Sequence, residues 1–454
     1  MSGGNVMGRL DLLEVPLDGM NLTEAGAGTG KTYTISGLFL RLLIEKRLPV
    51  GRILVVTFTE AATQELKERI RSAVRQALVA FSSGKASDPF LASLVEKYKH
   101  PTHILRNLTE ALRAFDQASI FTIHGFCARV LREHAFESGS LFDTEIITDQ
   151  QDILREIVYD FWRRHFCESS PLFIHYAISR KVTPESLLHL CGNRVSLPYL
   201  KIVPEIQPVD TTDQEHAFIR CFNEVKSRWK TDRKEVKDIL LNSGDLSRVT
   251  YRPAGIPGWI QAMDDYLASN GHNPVLFEGF DKFTTTRLKK AVKKERAVPS
   301  HRFFDLCDAL EAKQAALIQA FDNRLVSLRV SLFQFVQKEL ETRKKEKNIQ
   351  CFDDLLVRVS DALKGPRGNR LARTVRTRFQ AALIDEFQDT DPVQYYIFKK
   401  IFGHESCVMF LVGDPKQAIY GFRNADIFTY MKAAQDVSRR YTLDHNWRST
   451  PTLL

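Results

Sequence analysis

The stretch that decides the fold is AGAGTGKT, residues 25–32. Its glycines let the backbone curl so that successive N–H groups face one point at the start of a helix, which forms a nest for an anion. Lys31 would neutralise the β- and γ-phosphates of a nucleotide, and the Thr32 hydroxyl would hold Mg²⁺. Ala25 stands where this pattern usually opens with glycine, which is tolerable if only a small residue is required; the alternative is a glycine-rich turn without a ligand. We expect a nucleotide-binding segment made of Ala25, Gly26, Ala27, Gly28, Thr29, Gly30, Lys31, Thr32 and Tyr33.

Four short apolar runs predict parallel strands with polar motifs at their carboxyl ends. These runs are Ile53–Phe58, Ile120–Ile123, Ala381–Ile384 and Val408–Val412. A helix should follow the first run, because apolar residues recur every four residues from Ala62 to Leu78. Ligands of a doubly wound α/β sheet bind at the carboxyl edge of its strands. The predicted fold class is therefore α/β, with a parallel sheet core.

The middle of the chain differs in character from both ends. Between about residues 145 and 350, strand patterns fade and helical patterns dominate, interrupted by proline, glycine and charge clusters. We predict that residues 1–145 and 350–454 form one core, and that residues 146–349 form a large, mostly helical inserted subdomain. A long helix over residues 311–347 should return the chain to the core.

Two adjacent carboxylates, Asp385 and Glu386, follow the third predicted strand directly. A purely structural role would avoid this arrangement, because like charges repel each other. Asp385 is placed to bind Mg²⁺ through water, and Glu386 to polarise a water molecule that attacks the γ-phosphate. An exposed turn at the strand end is the alternative. Together with the phosphate loop, the pair indicates a hydrolytic site that uses ATP and Mg²⁺.

Residues 411–426, LVGDPKQAIYGFRNAD, combine groups that suit phosphate with groups that suit nucleic-acid bases. Gln417 can contact both the γ-phosphate and the attacking water, and Arg423 can pair with the γ-phosphate. Tyr420 and Phe422 offer flat faces for base stacking, worth roughly 1–3 kcal/mol per base, although both rings could instead belong to the core. A motor that couples nucleotide hydrolysis to movement along single-stranded DNA requires both kinds of group. The segment therefore predicts a nucleic-acid-dependent ATPase.

The last motif is LDHNWRST, residues 443–450. Arg448 is a candidate arginine finger, which would stabilise charge in the transition state and raise turnover by roughly 10³–10⁵. Trp447 would stack on adenine or pack against the nucleotide site. Without the other motifs, this segment would carry no prediction.

Two strand ends offer a track for single-stranded DNA. Thr57, Phe58 and Thr59 combine hydroxyl groups for phosphates with an aromatic face for a base. Thr122 and His124 repeat the arrangement after another strand, although a lone histidine is more often structural. We expect these five residues to contact DNA.

Length, net charge and cysteine content limit the classes of protein to which this chain can belong. The 454 residues are too many for one ordinary core, and the net charge of +9 suits a polyanionic partner without requiring one. The seven cysteines are scattered without a CxxC pair, which argues against a zinc or iron–sulfur site and against a secreted disulfide framework. The first residues lack the apolar core of a signal peptide, and no apolar run is long enough to span a membrane. We expect a cytoplasmic protein with no membrane partner.

A basic stretch, DKFTTTRLKKAVKKER, occupies residues 281–296. Seven Lys or Arg residues against two acidic residues give it a net charge of +5. We predict that Lys289, Lys290, Lys293 and Lys294 lie on one helical face. That face would track the phosphates of duplex DNA, and a solvated surface is the equal alternative.

In this order, the motifs resemble those of superfamily 1 DNA helicases of the UvrD/Rep/PcrA type. The matching segments are AGAGTGKT, TFT, TIHGF, IDEFQDT, GDPKQAIYGFR and NWRST. More narrowly, EAGAGTGKTYTI, VVTFTEAATQEL, FTIHGFCARVL and AFESGSLF resemble RecB-type beta subunits of exodeoxyribonuclease V. A generic UvrD-like chain and an AddA-type chain are the alternatives. The resemblance is strong over about residues 1–165 and 350–454, and loose between them.

The resemblance implies a P-loop NTPase core of the RecA-like type and 3′→5′ movement on single-stranded DNA. It also implies RecC- and RecD-like partners, a role in double-strand-break repair and recombination, and an inserted arm that touches duplex DNA. The residues that it assigns to ATP are Lys31, Thr32, Asp385, Glu386, Gln417, Arg423 and Arg448. Those that it assigns to DNA are Phe58, His124, Tyr420 and Phe422.

Two departures from the family pattern limit these expectations. No glutamine precedes the phosphate loop, where many relatives use one to contact adenine, so phosphate binding is better supported than adenine specificity. The chain ends at Leu454, before the second motor subdomain and the nuclease of RecB-type proteins. We therefore expect weak ATP binding, slow or absent turnover and no unwinding by these residues alone. A nucleotide- or DNA-binding module without catalysis is the competing hypothesis, while a small-molecule kinase would not explain residues 417–423.

Overall fold

The computed structural model describes residues 7–135, 144–192, 195, 200, 202–203, 207–269, 271–418 and 426–446. The chain divides into two compact units. The α/β unit comprises Met1–Thr148 and Asn348–Leu454, and the helical unit comprises Asp149–Lys347.

The α/β unit contains nine strands within the described residues. In chain order they are β1 (Gly8–Arg9), β2 (Gly19–Ala25), β3 (Ile53–Thr57), β4 (Ser119–Thr122), β5 (Glu145–Ile147), β6 (Ile349–Cys351), β7 (Ala381–Ile384), β8 (Val408–Gly413) and β9 (Arg439–Leu443). Seven of them form one parallel sheet in the order β1-β9-β2-β8-β7-β3-β4, while β5 and β6 form a separate parallel pair. The predicted α/β fold with a parallel sheet is confirmed.

The register of the sheet brings the strand ends that carry polar motifs to one edge. Its pairs include Glu24 with Gly413, Val56 with Ile384, and Thr57 with Thr122. Strands β3, β7 and β8 are buried along their whole length, as expected for parallel strands covered on both faces. The segments that follow β2, β3, β7 and β8 therefore meet at the carboxyl edge.

Helices cover both faces of this sheet. On one face, Ile53 and Val55 join an apolar cluster with the helices Lys31–Ile44, Glu60–Ser83, Pro89–Lys97 and Thr102–Arg113. On the other face, Leu54 and Val56 pack with the helices Ile123–Glu133, Phe352–Lys364, Gly368–Arg378, Pro392–Phe402 and Ile427–Asp436. This alternation follows from the two-residue period of a strand, which sends successive side chains to opposite faces.

Strands β1, β2 and β9 do not follow from the apolar pattern of the sequence. Strand β2 contains Asn21 and Thr23, which are polar yet completely buried. The Asn21 side-chain amide donates to the Asp18 carbonyl at 2.9 Å, so part of its hydrogen-bonding capacity is satisfied. Strand β9 begins with two arginines and is only half-buried. The strands with which β1, β2 and β9 pair are distant in sequence, so local composition does not reveal these three strands.

The helical unit is built around aromatic side chains. Its helices are Gln151–Trp162, Pro171–Ser179, Pro184–Cys191, Thr212–Asn242, Ile256–Ala268, Thr285–Ala291 and Arg302–Lys347. Phe321 is fully buried, with its ring centroid 5.2 Å from that of Phe173 and 5.3 Å from that of Tyr176. The predicted return helix is present and begins earlier than expected, at Arg302. Among all described helices, none has the length and apolar content needed to cross a membrane.

The prediction for the basic stretch is wrong in one respect. The helix that carries Lys289 and Lys290 ends at Ala291, and Val292 is extended and forms an antiparallel bridge with Leu246. The ammonium group of Lys293 donates to the Gly244 carbonyl at 2.7 Å. The predicted lysines therefore do not share one helical face, because a tertiary contact ends the helix before Lys293.

Candidate functional site

The phosphate-loop segment joins β2 to the helix Lys31–Ile44 at the carboxyl edge of the sheet. Gly28 and Gly30 have φ angles of 77° and 92°, in the left-handed region that glycine adopts without strain. Gly30 is the N-cap of the helix and provides no side-chain cap. The first N–H groups of a helix have no partner within it, so this end offers amide donors to an anion.

Thr29 closes the loop on itself. Its hydroxyl donates to the Gly26 carbonyl at 2.8 Å, and its amide donates to the same oxygen at 3.3 Å. A methyl group built on Gly26 would lie 3.8 Å from a carboxylate oxygen of Asp414. The turn that follows β8 therefore approaches the start of the phosphate loop.

The acidic pair follows β7 directly. The Asp385 amide donates to the Val56 carbonyl at 2.8 Å, which continues the ladder to β3. Glu386 has a φ angle of 48°, a backbone conformation that costs energy for a residue other than glycine. The Glu386 amide donates to the Asp385 carboxylate at 2.9 Å.

Lys31 and Glu386 form an ion pair across the site. The Lys31 ammonium donates to Glu386 Oε2 at 2.8 Å, although the two residues are 355 positions apart in sequence. Both side chains are partly buried. The fold thus brings the only lysine of the phosphate-loop segment into contact with Glu386 of the acidic pair.

The Asp385 carboxyl is held in an environment that disfavours its charge. Burial, followed by the neighbouring Glu386 carboxylate, raises the pKa of Asp385 from 3.8 to about 6. A hydrogen bond from the Glu386 amide and the charge of Lys31 oppose this rise without cancelling it. A cation bound beside Asp385 would relieve the unfavourable charge, so the donor set fits a metal ion held through this carboxylate.

Gln417 lies in a short 3₁₀ turn, Pro415–Gln417, after β8. Its side-chain amide donates to Asp414 Oδ2 at 2.7 Å, and the Lys416 amide donates to Asp414 Oδ1 at 3.0 Å. The carboxylate of Asp414 therefore fixes the turn that carries Gln417.

Tyr33 is half-exposed at the start of the phosphate-loop helix. Its hydroxyl donates to Asp88 Oδ2 at 2.9 Å, and its ring lies edge-on to Phe90 with centroids 6.4 Å apart. Burial and the Asp88 carboxylate raise the pKa of Tyr33. Thr32 and Tyr33 line a cavity of about 240 Å³ together with Phe90. Sequence reasoning gave no sign of Asp88 or Phe90, because neither lies in a motif.

Two of the three threonines of the predicted DNA track use their hydroxyl groups within the fold, and the third, Thr57, is buried. Thr57 and Thr122 are register partners and both are buried. The Thr122 hydroxyl donates to Glu60 at 3.0 Å and accepts the Gly125 amide at 3.1 Å, and the Thr59 hydroxyl caps the next helix by accepting the Ala62 amide at 3.1 Å.

Two ring side chains remain partly accessible at this edge. Phe58 is partly exposed immediately after β3. His124 Nε2 lies 3.6 Å from an Asp353 carboxylate oxygen, and its ring is edge-on to the exposed Phe352 with centroids 6.0 Å apart. Five predicted site residues, Tyr420, Phe422, Arg423, Trp447 and Arg448, lie outside the described residues.

These features define a class of protein: a P-loop nucleotide-binding protein with its site at the carboxyl edge of a parallel sheet. The sequence pattern of one protein family, the UvrD/REP helicase N-terminal domain, matches residues 12–438 of this chain. The chain therefore belongs to this family. Helicases of this family use a nucleotide and Mg²⁺.

Among curated proteins, the chain is similar to RecBCD enzyme subunit RecB from several bacteria. The Escherichia coli (strain K12) protein is 37% identical, over 98% of this chain and 38% of that protein. The Haemophilus influenzae protein is 32% identical, over 98% of this chain and 40% of that protein. The Chlamydia trachomatis protein is 31% identical, over 96% of this chain and 42% of that protein. The chain thus spans about two fifths of the length of these relatives.

Proposed function

We propose that this chain is the N-terminal motor part of an ATP-dependent 3′→5′ DNA helicase, a RecB-like subunit that acts in double-strand-break repair and recombination. The observation that carries the proposal is the 2.8 Å contact between the Lys31 ammonium and Glu386 Oε2. It brings the phosphate loop and the acidic pair to one point. Family membership and the similarity to RecB supply the class of motor.

The nucleotide site would bind Mg²⁺–ATP through the loop at residues 25–32. Bound Mg²⁺–ATP supplies the reactive γ-phosphoryl group and a metal ion that offsets its charge. The loop amides and Lys31 would hold the phosphates, while the Thr32 hydroxyl and the Asp385 carboxylate would hold the metal ion. Tyr33 and Trp447 would lie near the base.

Hydrolysis would depend on Glu386 accepting a proton from the attacking water. For this, Lys31 must leave Glu386 and pair with phosphate, which frees the carboxylate to act as a base. Gln417 would orient the water, and Arg423 and Arg448 would add positive charge beside the γ-phosphate.

The DNA track would run along the same edge of the sheet. Because Thr57 and Thr122 are buried, Phe58, Thr59 and His124 are the described groups through which contact would occur. Tyr420 and Phe422 would add stacking faces. Stacking of bases on aromatic rings tolerates any sequence, as a motor requires.

The wider setting follows from the relatives named as RecBCD subunits. We expect RecC- and RecD-like partners, and a cytoplasmic location, where bacterial DNA lies. Residues 1–145 and 350–454 would be the motor core, and the inserted residues 146–349 would form an arm that contacts duplex DNA.

The test is binding of a fluorescent ATP analogue with Mg²⁺, followed by ATP hydrolysis with and without single-stranded DNA. Lys31→Ala should weaken nucleotide binding about 10- to 150-fold, because it removes a charge-assisted contact worth roughly 1.5–3 kcal/mol. Lys46→Ala is the matched control, since Lys46 is an exposed lysine just beyond the same helix. Equal binding by both variants would overturn the proposal. We expect Lys31-dependent binding with slow or absent hydrolysis; hydrolysis that single-stranded DNA stimulates and Lys31→Ala abolishes would exclude a nucleotide-binding module without catalysis.

A further inference from the structure

The ring of Tyr33 is held in one orientation at the start of the phosphate-loop helix. The side chain is 50% exposed, and exposed side chains ordinarily change rotamer within nanoseconds. Two contacts restrict this one: its hydroxyl donates to Asp88 Oδ2 at 2.9 Å, and its ring is edge-on to Phe90 with centroids 6.4 Å apart. Tyr33 follows Lys31 by two residues, about 3 Å along the helix axis. An aromatic ring beside the phosphate loop therefore has a defined direction.

The acceptor of this hydrogen bond is itself fixed. Asp88 is the N-cap of the helix Pro89–Lys97, and its Oδ1 accepts the Leu91 amide at 2.9 Å. Pro89 at the start of that helix restricts the backbone as well, because its ring fixes φ. One carboxylate oxygen therefore caps a helix while the other holds Tyr33, so the start of this helix determines where the Tyr33 hydroxyl lies.

The hydrogen bond between Tyr33 and Asp88 contributes little as a tie between two helices. Both side chains are partly exposed, so water competes with the bond and leaves it only a modest contribution to stability. The helical unit contains a comparable bond, in which the hydroxyl of the 39% exposed Tyr159 donates to Glu185 Oε1 at 2.7 Å. What distinguishes the bond of Tyr33 is its position, two residues after the lysine of the phosphate loop.

The contacts of Tyr33 leave one face of its ring for a ligand. An edge-on pair covers at most one face of either ring, so the other face of Tyr33 is available for stacking. The ring also forms part of the wall of the cavity of about 240 Å³, together with Thr32 and Phe90. Stacking requires a ring of defined tilt, and a ring that must be ordered on binding lowers the affinity. A ring that is ordered in advance avoids this loss.

We infer that Asp88 is a positioning residue: it holds the ring of Tyr33 in the orientation in which the base of a nucleoside triphosphate stacks on it. This inference rests on the proposed function, in which residues 25–32 hold the phosphates. The hydrogen bond orders the ring before the nucleotide arrives, so the nucleotide does not lose affinity by immobilising it. Because no glutamine precedes the phosphate loop to contact adenine, stacking on Tyr33 supplies a larger share of the affinity for the base.

The test compares two ligands that both carry three phosphates, only one of which has a base. These are a non-hydrolysable ATP analogue and inorganic tripolyphosphate, each titrated with Mg²⁺ into the 454-residue chain by calorimetry. Asp88→Ser should weaken binding of the analogue about 3- to 10-fold and leave tripolyphosphate within about twofold of the wild type, because only the order of one side chain changes. Serine caps a helix as well as aspartate does, but it lacks the second oxygen that accepts from Tyr33.

Two further variants complete the design. Tyr33→Phe keeps the ring and removes the hydrogen bond, so it should weaken the analogue by the same factor as Asp88→Ser. The double variant should bind the analogue no more weakly than either single variant, because both changes remove one shared interaction. Tyr159→Phe is the matched control: it removes the tyrosine–carboxylate bond of the helical unit and should leave both dissociation constants within about twofold of the wild type. Thermal unfolding checks that each variant folds, and Tyr33→Phe serves if Asp88→Ser does not.

The outcomes separate this inference from the proposed function. If Asp88→Ser or Tyr33→Phe folds and binds the analogue as the wild type does, or weakens both ligands equally, Asp88 does not position the ring and the inference is overturned. Factors that multiply in the double variant overturn it as well. If Lys31→Ala weakens neither ligand, the proposed function fails instead, and the inference with it.

Discussion

A partly buried arginine of the helical unit and a buried carboxyl of the α/β unit differ in the partners that their surroundings offer. In the helical unit, the Arg324 guanidinium donates to Thr211 at 3.0 Å and to Ser169 at 2.8 Å, and it lies over the ring of Phe173 at 4.0 Å. In the α/β unit, Asp385 keeps a carboxyl whose pKa is raised to about 6, beside a Glu386 in a left-handed backbone conformation.

This difference distinguishes a charged group that supports the structure from one that suits a ligand-binding site. A buried charge that its own unit satisfies contributes to structure and leaves little for a ligand to improve. A carboxylate in an unfavourable environment stores free energy that a bound cation can release. The contrast predicts that changes in the buried core of the helical unit act on folding, whereas changes at the sheet edge act on ligand binding, even where they raise stability.

The largest effect should come from the aromatic core of the helical unit. Phe321→Ala should lower the free energy of unfolding by about 3–5 kcal/mol, because the surrounding rings cannot fill the cavity. Urea unfolding followed by circular dichroism measures this change. Val326→Ala on the same helix is the control; Val326 is 43% exposed, and its change should stay within about 0.5 kcal/mol. A cost below about 1 kcal/mol for Phe321→Ala would contradict the packing described here.

Asp385→Asn should stabilise the protein in a pH-dependent way. The folded pKa of Asp385 is raised, so the protonated carboxyl is favoured in the folded state and stability is lost as the pH rises through about 6. The substitution removes that loss, and should raise the free energy of unfolding by roughly 2–3 kcal/mol near pH 7.5 and by almost nothing near pH 3.5. Urea unfolding in EDTA, without nucleotide, measures both values. The same increment at both pH values would refute the assignment, and the variant should also bind Mg²⁺–nucleotide more weakly.

The smallest effects should come from two glycines, with opposite signs. Gly30 has a φ angle of 92°, so Gly30→Ala should cost roughly 1–2 kcal/mol of stability and weaken nucleotide binding. Gly258 lies in the helix Ile256–Ala268 of the helical unit, where an added methyl group meets no heavy atom within 4 Å. Gly258→Ala should therefore stabilise by about 0.5–1 kcal/mol and leave nucleotide binding unchanged. Thermal unfolding measures the stability of each variant, and nucleotide titration measures its binding. A loss of stability for Gly258→Ala would contradict the predicted difference between the two units.

Local pattern decided which parts of the fold could be predicted. Strands β3, β7 and β8 are continuous apolar runs with polar ends, so composition alone revealed them. Strand β2 was missed because its polar residues are buried by neighbours from the end of the chain. The prediction that four lysines of the basic stretch share one helical face was wrong for a similar reason, because the bridge between Val292 and Leu246 ends the helix.

By itself, the sequence determined the class of the fold, the position of the phosphate loop and the candidate acidic pair, because glycine spacing, apolar runs and adjacent carboxylates act over a few residues. Only the tertiary structure decided which of these groups meet. The contact between Lys31 and Glu386 and the hydrogen bond from the Asp414 amide to the Gln388 side chain join different segments of the chain, and they depend on the register of the sheet. No local pattern encodes that register, since it is set by how all the strands pack together.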